Sequence, residues 1–129
     1  MPTLPSNSQN LLVRVTSNSQ ESWAELLQEI ERVSGDTNFE VIDDPQLDGF
    51  SADDLEELLV ESDNTYALVV DDETLTNDEH PLLAISSFGD SLRVLPALAS
   101  AVADNLAIAN LSLSDYRQAA DDDGVLRTI

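Results

Sequence analysis

The stretch TYALVV at residues 65–70 is a continuous apolar run, and the acidic DDE at residues 71–73 follows it directly. A strand with one face in water alternates polar and apolar residues, whereas a strand covered on both faces has no need to alternate. The run therefore predicts the central strand of a β-sheet, with helices packed on it. The acids that follow predict an acidic loop over residues 71–80.

Two strands and two helices are predicted before this central strand. LLVRVT (11–16) and FEVI (39–42) are short and rich in β-branched residues, which is typical of strands. A segment with apolar residues at helical spacing separates them. Ser51 followed by Asp54 is a capping-box pattern, and it predicts a second helix from residue 52 to about residue 61.

The second half of the chain predicts a hairpin and two more helices. PLLAIS (81–86) and SLRVL (91–95) flank the turn sequence SFGD, which favours an antiparallel hairpin. Pro96 suits the first position of a helix. Ser112 is placed to cap a last helix that runs to about Asp121.

The element order β-α-β-α-β-β-α-α predicts an α/β fold in a single domain. We expect a mixed sheet of about five strands, in which the first three can run parallel and the hairpin is antiparallel, packed by about four helices. The domain is expected to span residues 10–129. Residues 1–9 carry prolines among polar residues and predict a flexible leader.

Charge limits the functions that the chain can perform. Its 129 residues include 26 acids against five arginines and no lysine, which gives a formal net charge of −21. Affinity for phosphates comes from lysine and arginine, so direct binding to nucleic acid or to an anionic membrane is not expected. The absence of cysteine excludes disulfides and thiolate metal sites. With no apolar run that could form a signal sequence or a membrane span, a cytoplasmic location is expected.

Three interpretations of the acidity remain open. The acids can form a solubilising surface adapted to a salty cytoplasm, where ions screen their mutual repulsion. They can form a face that binds a basic protein, as in inhibitors and nucleic-acid mimics. They can also hold a cation. The acids are spread from Glu21 to Asp123, which favours the first interpretation on charge pattern alone.

The cation interpretation depends on two acidic clusters at strand ends. If the strands before these clusters are parallel neighbours, both clusters lie at the carboxyl edge of the sheet, where ligands often bind. Carboxylate oxygens suit Mg²⁺ or Ca²⁺. The competing interpretation is that aspartate simply favours the turns after strands. The cation candidates are Asp43 and Asp44 after the second strand, and Asp71 and Asp72, with Glu73 beside them, after the third.

The acidic run DDDG at residues 121–124 is not an EF-hand loop. With Gly124 at the sixth position of such a loop, the first ligand position would be Ala119, which has no side-chain oxygen. The run instead predicts a helix end with a turn at Gly124, after which Val125 and Leu126 return to the core. Carboxylates are unfavourable at a helix C-terminus, so Arg127 is expected to be their cationic partner.

A resemblance extends over most of the chain. NLAIANLSLSDYRQAADDDGVLRTI (105–129), together with SLRVLP (91–96) and PLLAI (81–85), resembles an uncharacterised family of small bacterial domains of unknown function. The resemblance implies a single domain and no known activity. From the residues themselves, Asn105 can cap a helix C-terminus and Asn110 can stabilise a turn. The resemblance adds these candidate binding residues: Asn105, Asn110, Asp123 and Arg127.

No catalytic arrangement is visible in the sequence. The single histidine, His80, precedes a proline in a polar loop, and no phosphate-binding glycine loop or nucleophile elbow is present. We therefore expect a non-catalytic acidic interaction module, of the inhibitor or immunity type, that binds a basic partner protein. The alternatives are a small Mg²⁺- or Ca²⁺-dependent enzyme or sensor, and salt adaptation with a function unrelated to charge. The sequence indicates no oligomeric state.

Overall fold

A computed structural model describes residues 4, 10–16, 20–33, 39–87, 89–107 and 113–127. The described part of the chain contains six strands, five α-helices and one short 3-10 helix. In chain order they are β1 (Leu11–Arg14), α1 (Gln20–Val33), β2 (Glu40–Ile42), the 3-10 helix (Pro45–Leu47), α2 (Ala52–Glu61), β3 (Tyr66–Val70), α3 (Asp72–Thr76), β4 (Leu82–Ser86), β5 (Ser91–Val94), α4 (Pro96–Ala107), α5 (Leu113–Arg117) and β6 (Val125–Leu126).

The strands form one mixed sheet in the order β2-β1-β3-β4-β5-β6. β1 pairs in parallel with both β2 and β3, so the predicted parallel arrangement of the first three strands is confirmed. β4 and β5 form the predicted antiparallel hairpin. The sheet has one strand more than expected because the returning tail pairs with β5 as β6.

Helices cover both faces of the sheet. Leu68 and Val70 of β3 face a core that includes residues of α1, α4 and α5. Ala67 and Val69 face the opposite core, where the apolar side of α2 packs. Successive residues of a strand point to opposite faces, so both faces of β3 are buried. This double burial is the physical reason for the unbroken apolar run in the sequence.

The predictions for the segment after β3 and for the end of the last helix were wrong. The segment predicted as a loop after β3 contains the short helix α3, because the Asp71 side chain accepts a hydrogen bond from the Thr74 N–H, and the Thr74 hydroxyl lies in hydrogen-bond range of the Asp71 N–H. This reciprocal cap uses Thr at a position where Glu or Gln is the usual signal. The last helix ends at Arg117 instead of Asp121, since the chain turns there through a hydrogen bond from Ala119 N–H to the Tyr116 carbonyl.

The predicted leader at residues 1–9 lies outside the described residues, apart from Leu4. Leu4 is buried and belongs to the core on the α2 side of the sheet. Among the described residues, no helix has both the length and the apolar character needed to cross a membrane.

Candidate functional site

Helix α2 begins at the capping box that the sequence predicts. The Ser51 hydroxyl accepts a hydrogen bond from the Asp54 N–H at 3.2 Å, and the Asp54 carboxylate accepts one from the Ser51 N–H at 3.0 Å. The inner side of the helix buries Leu55, Leu58 and Leu59 in the core. These contacts fix which side of α2 faces water.

The outer side of α2 carries acids around one apolar residue. Val60 is 61% exposed, the larger of the two exposed fractions found for large apolar side chains in the described residues. Within the part of the chain that the structure describes, no salt bridge involves an acid of α2. We call this surface the α2 acidic face. It is a shallow open depression of about 550 Å³ lined by Asp53, Glu56, Glu57, Val60 and Glu61.

A second acidic region lies at the carboxyl ends of β1, β2 and β3, but here basic and hydroxyl groups contact the acids. The register places Arg93 of β5 in one row with Leu83 of β4 and Val69 of β3, so its side chain reaches back across β4 to Asp71. Two guanidinium nitrogens donate to the two oxygens of Asp71 at 2.9 and 2.7 Å. The guanidinium Nε lies 3.2 Å from Glu73.

This ion pair shifts the pKa of both partners. Partial burial raises the pKa of Asp71, but the hydrogen bonds from Arg93 and Thr74 and the positive charge of Arg93 together lower it by more, so the net pKa lies below the ordinary value. Burial lowers the pKa of Arg93, but the hydrogen bond to Asp71 and the negative charges of Asp71 and Glu73 together raise it by more, so the net pKa lies above the ordinary value. Both groups therefore stay ionised at neutral pH.

The acids nearer β1 are also engaged. The Thr16 hydroxyl donates to Asp72 at 2.5 Å, and Arg14 lies 3.5 Å from Asp43. Asp44 accepts a hydrogen bond from the Gln46 N–H and so caps the 3-10 helix. We call this region the arginine-bound edge, defined by Arg14, Thr16, Asp43, Asp44, Asp71, Asp72 and Arg93.

Arg14 is the buried cation of this edge. Its side chain is only 5% exposed, and its guanidinium lies over the Trp23 ring at 5.0 Å from the ring centre. The guanidinium also donates to the Thr16 carbonyl at 2.6 Å and to the Gln20 side-chain oxygen at 3.0 Å. A crevice of about 160 Å³ opens beside it, with Asp43, Asp44 and Asp48 on its wall.

The two predicted cation clusters share an edge of the sheet but do not meet. β1 lies between β2 and β3, so Asp43 and Asp71 do not follow neighbouring strands as the cation hypothesis required. Arg14 stands next to one cluster and Arg93 next to the other. Among the described residues, no group of three or more histidines or acids is arranged to hold a metal ion.

Comparison with known protein families identifies the family of the chain. A model of a family described as a domain of unknown function, DUF6924, matches residues 9–129. The chain belongs to the DUF6924 family. This confirms the predicted membership of an uncharacterised family, and the match supplies no activity. No curated protein matches the chain.

The acidic turn of this DUF6924 chain is held by Arg127, as the sequence predicts. Gly124 adopts a left-handed φ of 82° in the turn. The Arg127 guanidinium lies 2.8 Å from each of three carboxylates, those of Glu79, Asp121 and Asp123. Its hydrogen bonds lower the pKa of Glu79 and of Asp123, and those carboxylates in turn raise the pKa of Arg127. Arg127 thus serves an internal role in joining two loops.

Two further candidates came from the family resemblance, and the structure describes only the backbone of one of them. Asn105 lies inside α4, which continues to Ala107, so the prediction that it follows a helix end was wrong. Two good helix formers, Leu106 and Ala107, extend the helix past it. Asn110 lies outside the described residues. His80 has a left-handed φ of 51°, and its Nδ1 lies 2.9 Å from the Thr74 carbonyl oxygen.

Sequence reasoning missed the residues that distinguish the two acidic regions. Arg93 and Thr16 pair with acids that are distant along the chain, so only the register of the sheet reveals the contacts. Val60 was detectable in principle. Leu55, Leu58 and Leu59 already account for the apolar side of α2, and a fourth apolar residue directly after them falls on the outer side.

Proposed function

We propose that this domain is a non-catalytic interaction module whose α2 acidic face binds a basic surface of a partner protein. One observation supports the proposal above all others. Three of the five arginines pair with acids elsewhere in the fold, and among the described residues no arginine forms a salt bridge with an acid of α2. The carboxylates of this face are therefore left to attract cations from outside the molecule.

Charge and shape both suit such a role. A surface of one sign raises the rate at which an oppositely charged partner associates, and salt weakens the effect. Stable interfaces also need an apolar contact that excludes water, and Val60 supplies one at the centre of the acids. Inhibitors and immunity-type proteins belong to this class of module, and we propose the cytoplasm as the place where it works.

A capture experiment from native lysate tests the proposal. The immobilised domain is exposed to lysate at low ionic strength and eluted with salt. The test variant is Asp53→Asn/Glu57→Gln/Glu61→Gln. The matched control, Glu21→Gln/Glu25→Gln/Glu31→Gln, removes the same charge from exposed positions of α1. We expect the wild type and the control to capture the same basic proteins and the test variant to lose them.

The result that would refute the proposal is equally clear. If all three proteins capture the same set, the α2 acidic face is not the binding surface. If none captures a basic protein, the domain is not an acidic interaction module.

The rival function, a divalent-cation enzyme or sensor, makes a different prediction. Its candidates Asp43, Asp44, Asp71 and Asp72 lie at the arginine-bound edge, where a cation would have to compete with Arg14 and Arg93. Calorimetry with Mg²⁺ and Ca²⁺ at low salt decides the matter. Binding heat with a rise in melting temperature, both lost in Asp43→Asn, would favour the rival.

A further inference from the structure

Arg14 is a charged residue buried at the carboxyl end of β1, a strand whose other residues are apolar. Burial removes a guanidinium group from water, and the partners that it gains inside a protein often make the fold no more stable than a well-packed apolar residue would. Stability alone therefore does not account for an arginine at this position. A polar group that reaches the wall of a crevice is typical of ligand sites, where a few such groups fix the orientation of the ligand.

The guanidinium group of Arg14 lies at the wall of the crevice beside it. Its Nη1 donates to the Gln20 side-chain oxygen at 3.0 Å and lies 3.5 Å from an Asp43 oxygen, and both of these residues also line the crevice. The other wall residues are Thr16, Asp44, Pro45 and Asp48. One positive group and three carboxylates therefore surround a single crevice of about 160 Å³.

The place of the crevice in the sheet is a separate indication of a ligand. In open α/β sheets, ligands bind outside the carboxyl ends of the strands, at the point where the strand order reverses. β1 lies between β2 and β3, and the helices that lead to these two strands, α1 and α2, pack on opposite faces of the sheet. The strand order therefore reverses at β1, and the crevice opens at the carboxyl end of that strand.

The charges of the crevice limit the ligand to one class. A guanidinium group binds carboxylates and phosphates, but the nearby aspartates repel an anion that carries no positive charge of its own. Arg14 likewise repels a ligand that is only a cation. A zwitterion satisfies both kinds of group, with its carboxylate on Arg14 and its ammonium group on the aspartates.

The contact between Arg14 and Asp43 indicates how close together the two charges of the ligand must be. Its length of 3.5 Å exceeds the roughly 2.8 Å of a close hydrogen bond between charged groups. A ligand carboxylate can approach Nη1 more closely, while Asp43 accepts a hydrogen bond from the ligand ammonium group. Because the two protein groups are adjacent, the two ligand charges must be adjacent as well. An α-amino acid meets this condition, since one carbon atom carries both groups.

We propose that the crevice beside Arg14 is a binding site for a free α-amino acid with a small side chain. Arg14 binds its carboxylate, and Asp43 binds its ammonium group. The limit on the side chain follows from the volume, since about 160 Å³ is well below the roughly 300–1,000 Å³ of sites for drug-sized ligands. This crevice is separate from the α2 acidic face, so the inference is independent of the proposed function.

Three small molecules of similar size test the inference on the intact domain. L-Alanine carries both charges, propionate lacks the ammonium group, and ethylamine lacks the carboxylate. Trp23 is the single tryptophan, and its ring lies under the Arg14 guanidinium, so its fluorescence reports binding. Calorimetry follows the same titrations at constant ionic strength. We expect L-alanine to bind about tenfold or more tighter than either analogue, because each analogue lacks one charged hydrogen bond.

Asp43→Asn is the critical variant, because it removes the charge that binds the ammonium group and keeps the size of the side chain. We expect it to weaken the binding of L-alanine by about tenfold, with an unchanged circular dichroism spectrum. Asp63→Asn is the matched control. Asp63 is exposed and precedes β3, at the opposite edge of the sheet, and asparagine tolerates its left-handed φ of 62°. The control should bind L-alanine as the wild type does.

Three outcomes would overturn the inference. If neither fluorescence nor calorimetry shows saturable binding of L-alanine, the crevice is not a site for a small α-amino acid. If propionate or ethylamine binds as tightly as L-alanine, the ligand is an anion or a cation and not a zwitterion. If Asp43→Asn binds L-alanine as tightly as the wild type, the amino acid binds elsewhere. The proposed function stands in all three cases, because the capture experiment tests it separately.

Discussion

In the part of the chain that the structure describes, no carboxylate of the α2 acidic face forms a salt bridge with an arginine, whereas at the arginine-bound edge Asp71 accepts two hydrogen bonds from Arg93 and Asp43 lies 3.5 Å from Arg14. Both regions are rich in acid. They differ in where the arginines are. A net charge of −21 therefore does not show which acids are available to a partner, because the fold neutralises some of them internally.

The geometry of the two regions explains the difference. At the arginine-bound edge, β1, β2 and β3 end at the same side of the sheet, so one acidic cluster follows β2 and another follows β3, with β1 between them. Repulsion between neighbouring carboxylates is strong where the groups are half-buried, and a nearby cation relieves it. On α2 the acids project into water, where salt screens them, and those of the first turn are favoured by the helix dipole. The fold is stable there without a cation.

The largest predicted effect is at the arginine-bound edge. Arg93→Met removes a cation whose side chain is 20% exposed and leaves Asp71, which is 26% exposed, without its bidentate partner. We expect the free energy of unfolding to fall by about 2 kcal/mol, as for hydrogen bonds to charged groups that are partly exposed. Urea denaturation measures this. Glu57→Gln on α2 is the control and should change stability little, and an equal loss in both variants would remove the distinction between the two regions.

The second prediction concerns acid stability. The pKa of Asp71 in the folded protein lies below its ordinary value of 3.8, so this carboxylate stabilises the fold above that pH, and the contribution is lost as the pH falls through the folded-state pKa. We expect Asp71→Asn to be less stable than the wild type at pH 7. The difference should shrink below about pH 4.

Thermal melts between pH 2 and pH 7 measure this convergence. In Arg93→Met, where Asp71 has lost its cation, the folded-state pKa of Asp71 rises towards the unfolded value, so the loss of stability on acidification should be smaller than in the wild type. A constant difference between Asp71→Asn and the wild type across the whole range would show that the ion pair does not depress the pKa of Asp71.

The same contrast explains how far the sequence could predict this molecule. The topology was accessible, because the apolar run at 65–70 and the Ser51 capping box are local patterns that the whole fold supports. α3 was missed because its cap uses Thr74, whose hydroxyl also donates to the Pro81 carbonyl. The Arg127 pairing was accessible since Asp123 lies only four residues away. The pairing of Arg93 with Asp71 depends on strand register and could not be predicted from the sequence.

The candidate site shows a similar limit. The acids of α2 were visible in the sequence. Whether their carboxylates are available to a partner depends on the positions of arginines distant along the chain. The two predicted cation clusters could not be separated without the strand order, which places β1 between them. Pairings that span the sheet are set by the register of several strands together, and no local pattern encodes them.

The third prediction uses salt to separate the regions. Screening weakens repulsion among exposed acids far more than it weakens a half-buried ion pair. We expect the melting temperature of the wild type to rise with KCl, and the rise to be smaller in Asp53→Asn/Glu57→Gln/Glu61→Gln. A melting temperature that stays flat from low to high KCl would remove the basis for salt adaptation as the explanation of the acidity.

The smallest global effect is predicted for Arg127, although it contacts three carboxylates. These contacts are exposed, and exposed ion pairs add little to stability because water competes for both partners. We expect Arg127→Gln to leave the urea midpoint almost unchanged. The turn should respond locally, since Asp121 and Asp123 would repel each other without their shared cation.

The rates of hydrogen exchange at individual backbone amides measure this local response. The Gly124 N–H donates to the Asp121 carbonyl, and the Val125 N–H donates to the Asp123 carboxylate, so both amides should exchange faster in Arg127→Gln. Arg117→Gln makes the same charge change on the exposed side of α5 and should not alter these amides. If Arg127→Gln instead lowered global stability as much as Arg93→Met, then contact with several carboxylates, and not burial, would determine how much an arginine stabilises this fold.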